Sequence, residues 1–567
     1  MRTYPQPRDY KPGMILPADA SSPFSMEGFL PVNIVNDYGF GVEDDRTHDN
    51  DAGGKSMWLG TCEAGCKPYV QFQFPVPVPL GTMEVWNYNQ KEKTQNGIRE
   101  AAVLYSVDCR HWYTLGGADH TCVFAKAHGR TGLYPTNLAE PAGKPVEFAG
   151  ITAKYVRICP LPHISRGNWG GVNEKGGMLF GLSEVRFYVG EGYVVFPDEE
   201  WTRLFQRYEG WTGADGIFSI PFSGNEQPSA EKDGENHTLF LFSDTFVGKV
   251  DPETYNRTCS MLNNTIAVLK GNQPDKRNIN FQYRINSSGK PGTVFDPLGE
   301  DHFSLNYNHY YWLQDGIIRN NTLYLTALNV YHAPEKPEGM RFRIGTVSFI
   351  TAPLNSRPPY VDDYNINDDV PLAYDYPDGS RGFVGCGILP NTEDAGSPGP
   401  DGFIYLYGYK NKSGHSHMIA GRVKEDVFPD ITMIEYFADG EWSRDIGAAE
   451  IIAEDVSHEL SVSPIYTGPD KGKYILVYQK EIAGHLTSYR IGETPYGPFS
   501  EAADFYHTDE WLSGSGITTY NAKAHPHLSK PGELLISYNV NTTSDAAHLR
   551  NGDIYRPRFI VAKRLWR

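Results

Sequence analysis

Trp312-Leu313-Gln314-Asp315-Gly316-Ile317-Ile318-Arg319-Asn320-Asn321-Thr322-Leu323-Tyr324-Leu325 decides the fold. It reads as a polar head with a carboxylate, a short apolar strand, a tight Asn-Asn turn and a second apolar strand. The design recurs. Asp215-Gly216-Ile217-Phe218 leads to Thr238-Leu239-Phe240-Leu241-Phe242, and Gly385-Cys386-Gly387-Ile388-Leu389 leads to Phe403-Ile404-Tyr405-Leu406-Tyr407. Glu459-Leu460-Ser461-Val462 leads to Lys473-Tyr474-Ile475-Leu476-Val477-Tyr478, and Lys523-Ala524-His525-Pro526-His527-Leu528 leads to Glu533-Leu534-Leu535-Ile536-Ser537-Tyr538. Strand pairs repeated at long spacing predict a β-propeller, here of five blades, each a supersecondary unit stacked on its neighbours.

Bulk composition agrees with an all-β chain. Of 567 residues, 13% are aromatic, while 58 Gly and 40 Pro supply turns. That length predicts two or more domains. A net charge of −18 argues against nucleic acid and anionic membranes as partners. The 7 Cys imply no dense disulfide framework; Cys62 and Cys66 either pair or flank a turn. No run of 18 apolar residues occurs, and Met1 to Ser25 lack the regions of a signal peptide. The expectation is a cytoplasmic protein, or a secreted one whose signal has been removed.

Residues 1–24 read as an N-terminal extension and 25–195 as a separate unit. Alternating runs such as Tyr69-Val70-Gln71-Phe72-Gln73-Phe74, Met83-Glu84-Val85-Trp86-Asn87-Tyr88 and Tyr155-Val156-Arg157-Ile158 predict half-buried strands packed as a β-sandwich. Residues 200–567 hold the five repeats. In the first, strands are expected at Gly216–Pro221, Leu239–Phe246, Thr265–Leu269 and Asn280–Arg284, and the last repeat closes with Arg558–Ala562.

In such a propeller the heads of the first strands face one funnel, together with the ends of the second strands. That geometry nominates Asp215, Asp315 and Glu459 at heads and Asp244 at a strand end as catalytic carboxylates. Trp312, Gln314, Asn329, His332, Glu393, Lys523, His525 and Asn541 are nominated to bind substrate. Cleaving a glycosidic bond needs one carboxyl to protonate the leaving oxygen and a second to attack or to activate water, their pKa values pushed apart by environment. No metal is required for that chemistry. Structural calcium is a possibility in the funnel, or at Glu43, Asp44, Asp45, Asp49 and Asp51.

Two family resemblances rest on specific motifs. "YVQFQF", "EVWNYN", "REAAVLYSVDCRHWYTL", "AKYVRI" and "GLSEVRFY" resemble the strands of discoidin-like, galactose-binding-type jelly rolls used as carbohydrate-binding modules. Here Cys109-Arg110-His111 stands where such modules carry a Gly-centred turn. The resemblance implies a ligand site on end loops, with Trp169 as a sugar platform flanked by Asn168 and Arg166. "GADGIFSIPF…TLFLFSDTF", "SHELSVSPIYTGPDKGKYILVYQ" and Thr494-Pro495-Tyr496-Gly497-Pro498-Phe499 resemble five-bladed propeller glycosidases. The relatives in question are the arabinanase and fructosidase superfamily and a propeller family linked to D-arabinan cleavage. The resemblance implies Asp215 as general base, Asp315 as pKa tuner and Glu459 as general acid, with hydrolysis by inversion. Asp244 could take the place of Asp315. The pattern's usual acid comes from the third blade, which here offers Glu393 and Asp394, whereas Glu459 opens the fourth.

The expected function is therefore hydrolysis of a furanose-containing or related glycan. Two alternatives remain at this stage. One is a non-catalytic carbohydrate-binding or adhesion protein; the other is a polysaccharide lyase using Lys523 and His525.

Overall fold

The computed structural model describes residues 14–40, 47–50, 56–63, 65–117, 119–136, 145–190, 192–229, 236–285, 288–297, 309–337, 341–508, 510 and 516–565. The acidic run Glu43-Asp44-Asp45 and Asp51 lie outside the described residues. The chain divides into two compact units, Met1–Val195 with Lys563–Arg567, and Phe196–Ala562. Among the described residues nearly all regular structure is antiparallel strand. The α-helices, Glu199–Leu204 and Asp545–Arg550, are single short segments.

In the first unit one sheet runs in the order Met14–Ile15, Met178–Val189, Val70–Asn87, Val146–Pro160, Glu100–Ser106 and Tyr113–Thr114. Register shifts between Gln73 and Val78 and between Leu80 and Thr82 bend its two longest strands. Phe72 and Phe187 are not register partners, yet their rings meet at 5.1 Å. The sheet has therefore folded onto itself around an apolar core, the packing that alternating burial along Val70–Phe74 demands. Part of the expected extension belongs to this sheet, because Met14–Ile15 pairs with Tyr188 and Phe187, and Asp19–Ser21 pairs with Gln73, Phe72 and Gln71. Cys62 and Cys66 are disulfide-bonded. Cys109 takes φ 61°, so a non-glycine residue occupies the left-handed position of the Ser-x-Asp turn.

The second unit contains five larger antiparallel sheets among its described residues. Their lead strands are Phe218–Pro221, His309–Arg319, Arg381–Asn391, Leu460–Pro464 and Ile517–Ala524. The first sheet continues through His237–Phe242, Thr265–Lys270 and Ile279–Gln282. The second continues through Thr322–His332, Phe342–Pro353 and Asn365–Asn367. The third has Ala373–Asp375 outside its lead strand and adds two short strands beyond His415–Lys424; the fourth runs through Tyr474–Gln479, Leu486–Gly492 and Ala503–His507. The fifth runs through Ile517–Ala524, Glu533–Thr542 and residues 558–562.

Successive lead strands neighbour one another along the chain. Gly316 lies so close to the first sheet that a Cβ there would meet Ile220 Cδ1 at 3.1 Å. Thr326 Oγ1 donates to Gly385 O at 2.7 Å, joining the second sheet to the third. A Cβ on Gly387 would stand 2.9 Å from Leu460 O, so third and fourth touch backbone to backbone. Ala524 N–H donates to Ser461 Oγ at 2.8 Å, and Ser219 Oγ bonds His525 Nδ1 at 2.7 Å, bringing the fifth to the fourth and to the first.

One difference from the expected strands matters for the site. The second strand of the first sheet does not run to Phe246. It stops at Phe242, turns at Ser243-Asp244, and resumes as Thr245–Val250 in a separate three-stranded sheet with Glu209–Ala214 and Arg257–Leu262. Its partner breaks at the same level, between Ala214 and Phe218. Two ladder-like bonds hold the break together: Asp215 N–H to Asp244 O at 3.2 Å and Ser243 N–H to Asp215 O at 3.0 Å. Gly216 takes φ +68° there, and a Cβ would lie 2.8 Å from Ser243 Oγ.

Candidate active site

The strand break puts two acidic side chains on adjacent turns, freed from the alternation a continuous ladder would impose. Asp215 Oδ2 accepts from Tyr520 OH at 2.6 Å and Tyr555 OH at 2.8 Å, while its Oδ1 is buried without a partner. Burial raises its pKa, opposed by the two tyrosine bonds and by the Lys523 charge. Asp244 is 8% exposed; its Oδ1 accepts from Trp312 Nε1–H at 2.8 Å and from Asn263 Nδ2–H at 3.4 Å. Burial first, and then the Asp215 charge, push its pKa up to about 8. Neighbouring carboxylates in unequal surroundings cannot both ionise cheaply, and of the two it is Asp215 that receives the hydroxyl donors and the Lys523 charge.

The fourth and fifth heads supply a buried ion pair. Lys523 is 2% exposed, donates to the Glu459 carboxylate, and sits 4.1 Å above the Phe218 ring. Burial raises the Glu459 pKa; the Lys523 charge and hydrogen bond oppose it, and the Asp215 charge adds to the rise. Asp315 lies in a β-bulge between Leu313 and Gly316. Its Oδ1 accepts from Gly316 N–H at 2.9 Å and its Oδ2 from Ile388 N–H at 2.7 Å, so it ties two lead strands together. Burial raises its pKa to about 7, with Glu226 adding and Lys523 opposing. A cavity of about 40 Å³ is bordered by Phe218, Glu226, Asp315, Leu460 and Lys523.

The structure thus groups Asp215, Asp244, Trp312, Glu459 and Lys523, with Asp315 alongside. Gln314 and Asn329, each 2% exposed, have side-chain oxygens without a hydrogen-bond partner. A polar ligand reaching either would have to bring donors. Other nominated residues stand apart. His332 and Glu393 are exposed, His332 packing at a tilt with its ring 4.9 Å from that of Tyr310 and Glu393 lying past the far end of its strand. His525 spends Nδ1 on Ser219 at 2.7 Å and Nε2 on Ser537 at 2.8 Å, leaving no ring nitrogen for substrate. Asn541 is committed to Tyr520, Thr542 and His548. The Trp312 indole N–H is committed to Asp244 and the Lys523 ammonium to Glu459.

In the first unit the flanking polar groups of Trp169 are also spent. Asn168 bonds Gly171 O and Leu179 O, both at 2.7 Å, and Arg166 grips Glu100 at 2.9 Å. Trp169 itself carries the Arg99 guanidinium 4.9 Å above its ring.

Sequence reasoning missed Tyr520, Tyr555 and Glu226. Both tyrosines lie off the heads, Tyr520 three residues before Lys523 and Tyr555 in a turn before the last strand. Glu226 follows the first lead strand and bonds His527 Nδ1 at 3.0 Å. The only available signal was the tyrosine content of the chain, 36 residues, which singles out none of them. Among the described residues no group of three or more His, Cys, Asp or Glu could hold a metal ion.

An all-β protein with a buried, asymmetric carboxylate pair is the class these features define. Residues 198–564 match the family described as "Domain of unknown function (DUF5005)", and the chain belongs to that family. No curated protein matches the chain. Among solved structures it is similar to a candidate hydrolase from Bacteroides ovatus, with 22% identity, a TM-score of 0.51, and coverage of 65% of this chain and 90% of that one. At that identity the likeness speaks for the fold alone. A CBM32 module from a family 31 glycoside hydrolase of Clostridium perfringens matches at 15% identity and TM-score 0.21, over 31% of this chain and 96% of its own. A fucose-binding module of Streptococcus pneumoniae matches at 11% identity and TM-score 0.21, over 32% of this chain and 100% of its own. Scores of that size carry no argument.

Proposed function

We propose that the chain is a glycoside hydrolase whose second unit is a five-bladed β-propeller, each larger sheet forming one blade, and whose first unit is a discoidin-like module. The contacts between successive sheets, with the Ser219–His525 bond from the first to the end of the fifth, support the propeller. The observation that carries the hydrolase reading is the pair Asp215–Asp244: two carboxyls on adjacent turns, one held by two hydroxyl donors and the other pushed up to about 8. Asp244 donates its proton to the glycosidic oxygen as the C–O bond breaks. The Asp215 carboxylate takes a proton from attacking water, or attacks the anomeric carbon itself. Glu459, tied to Lys523, supports the positive charge that develops on the sugar ring. This exchanges the roles implied by the family pattern, in which Glu459 is the acid.

The substrate is a neutral glycan, with a furanose-containing polysaccharide first in line from the sequence resemblance. A uronate-cleaving lyase is disfavoured, because His525 has both ring nitrogens engaged and the Lys523 ammonium is bound to Glu459. The test is a panel of arabinans, fructans and other neutral polysaccharides incubated with wild type, Asp215→Asn and Asp244→Asn, with products separated by chromatography. Cleavage by wild type that falls at least 100-fold in both variants supports the assignment. Cleavage retained in either variant refutes the carboxylate pair. Binding without cleavage by the wild type selects the carbohydrate-binding alternative.

A further inference from the structure

The hydrogen bonds behind Asp215 run in one direction, and each link fixes the next. Asn541 Oδ1 accepts from Thr542 N–H at 2.7 Å, and a backbone N–H can only donate, so that atom of the amide is its oxygen. The other end, Nδ2, must then donate to the Tyr520 hydroxyl oxygen at 3.2 Å. His548 Nε2, 2.8 Å from the same Oδ1, must carry a hydrogen to bond it, which sets the tautomer of His548. With its oxygen receiving from Asn541, the Tyr520 hydroxyl turns its own proton to Asp215 Oδ2 at 2.6 Å. Tyr555 delivers a second hydroxyl to that oxygen at 2.8 Å, with its ring packed 5.2 Å from His548.

We propose that His548, Asn541, Tyr520 and Tyr555 form a positioning relay that holds Asp215 as the anion of the pair and thereby keeps the shared proton on Asp244. The inference rests on the hydrolase reading only for its consequence, since the relay itself is a statement about one carboxylate. None of the four need touch substrate. The hydroxyls are suited to this work, because burial and the Asp215 charge hold both tyrosines well above their ordinary pKa and leave them protonated donors. The groups facing Asp215 from every side are Tyr520, Tyr555, Lys523, Asp244 and Glu459. Lys523 is the one cation among them and is already bound to Glu459. The oriented hydroxyls therefore decide which of the two aspartates is charged. Were the Asn541 amide absent, the Tyr520 proton could rotate away and the preference would weaken.

The test is a titration of the full chain carrying 13C-carboxyl aspartate, read by NMR without substrate, in wild type, Tyr520→Phe, Tyr555→Phe, Asn541→Leu and His548→Gln. Asp215→Asn and Asp244→Asn assign the two resonances. Loss of one hydroxyl donor to a charged acceptor should move the Asp215 titration upward by about one pH unit in each tyrosine variant. Asn541→Leu should give a smaller upward shift. His548→Gln, which keeps an N–H donor, should leave the titration in place. Unshifted titrations in both folded tyrosine variants overturn the relay, and Asn541→Leu with Tyr555→Phe decide the matter should Tyr520→Phe not fold. Where a glycan is cleaved, the acid limb of the pH–rate profile should move with the same titration. A shifted titration in a protein that cleaves no glycan would retain the relay and discard the hydrolase reading. Cleavage with unshifted titrations would do the reverse.

Discussion

Removing the ammonium from the Lys523–Glu459 pair should be among the most damaging single changes in the second unit. Lys523 is 2% exposed and the Glu459 side chain 14% exposed, so the substitution Lys523→Leu strands a carboxylate where water reaches it poorly. Two unit charges at about 4 Å attract by about 4 kcal/mol at the effective dielectric of about 20 that suits protein sites. Breaking a buried pair by deleting one partner independently costs about 3–5 kcal/mol. The two figures agree, and the leucine still covers the Phe218 ring, so little of the loss should come from packing. Urea unfolding of Lys523→Leu, Glu459→Gln and the double variant, followed by circular dichroism, forms a double-mutant cycle. The expected coupling is at least about 2 kcal/mol, with the double variant more stable than Lys523→Leu alone. Stability of Lys523→Leu should also recover on acidification, because protonating Glu459 removes the stranded charge. Additive single effects, or a Lys523→Leu loss below about 1 kcal/mol, would refute the assignment of a buried, mutually dependent pair.

Asp244 makes a pH prediction with a definite sign. Its folded pKa, about 8, lies above the ordinary carboxylate value, so the folded state binds a proton that the unfolded chain releases. The stability this provides is present in full below the unfolded pKa near about 4 and is lost as pH rises through about 8. Asp244→Asn should flatten that slope in urea midpoints measured across the same range, and an unchanged slope would contradict the assignment. For the same reason hydrolysis, once a substrate is found, should decline above about pH 8 as Asp244 loses its proton. Gly216→Ala should destabilise by about 1–3 kcal/mol, because φ +68° strains any other residue and the new methyl meets Ser243 at 2.8 Å. Thermal unfolding within error of wild type would show that the strand break tolerates a side chain there. Trp312→Phe removes the indole donor from Asp244 and should raise the pH at which activity declines, with a smaller loss of turnover than Asp244→Asn. A decline at the wild-type pH would show that the indole hydrogen bond does not set the ionisation of Asp244.

The sheets were legible in the sequence because alternating and continuous apolar runs report directly on burial. Leu239–Phe242, Phe403–Tyr407 and Tyr474–Tyr478 are hydrophobic throughout and are buried on both faces or nearly so. The carboxylates were legible because Asp and Glu at strand heads interrupt those runs. The break at Ser243-Asp244 was not, since strand-forming residues, Thr238–Phe242 before it and Thr245-Phe246-Val247 after it, make the two strands read as one. Nor was the loss of His525 and Asn541 as ligands, because both are satisfied by Ser219, Ser537, Tyr520 and His548 from distant parts of the chain. A side chain's type can nominate it for a site, but only tertiary partners reveal whether its donors are already spent.

A single backbone device recurs at the heads, and it accounts for the site better than the strands do. The second lead strand bulges at Gln314-Asp315, the third at Gly385-Cys386 and the fifth at Asn521-Ala522. The first is interrupted altogether at Asp215, opposite the interruption at Asp244. A regular strand sends alternate residues into opposite sheet faces, so it could not present two successive head residues on the same side. Bulges re-aim one side chain at the cost of one ladder bond, and the break in the first sheet frees two. The left-handed backbone these turns need is visible at Gly216 with φ +68°, where glycine adopts it freely, and at Asn521 with φ 59°. In this reading the regular parts of the lead strands hold the sheets together, while their irregular heads set which carboxylates meet. Substitutions that repair a bulge should therefore cost function before they cost stability, and substitutions in the apolar runs should do the opposite.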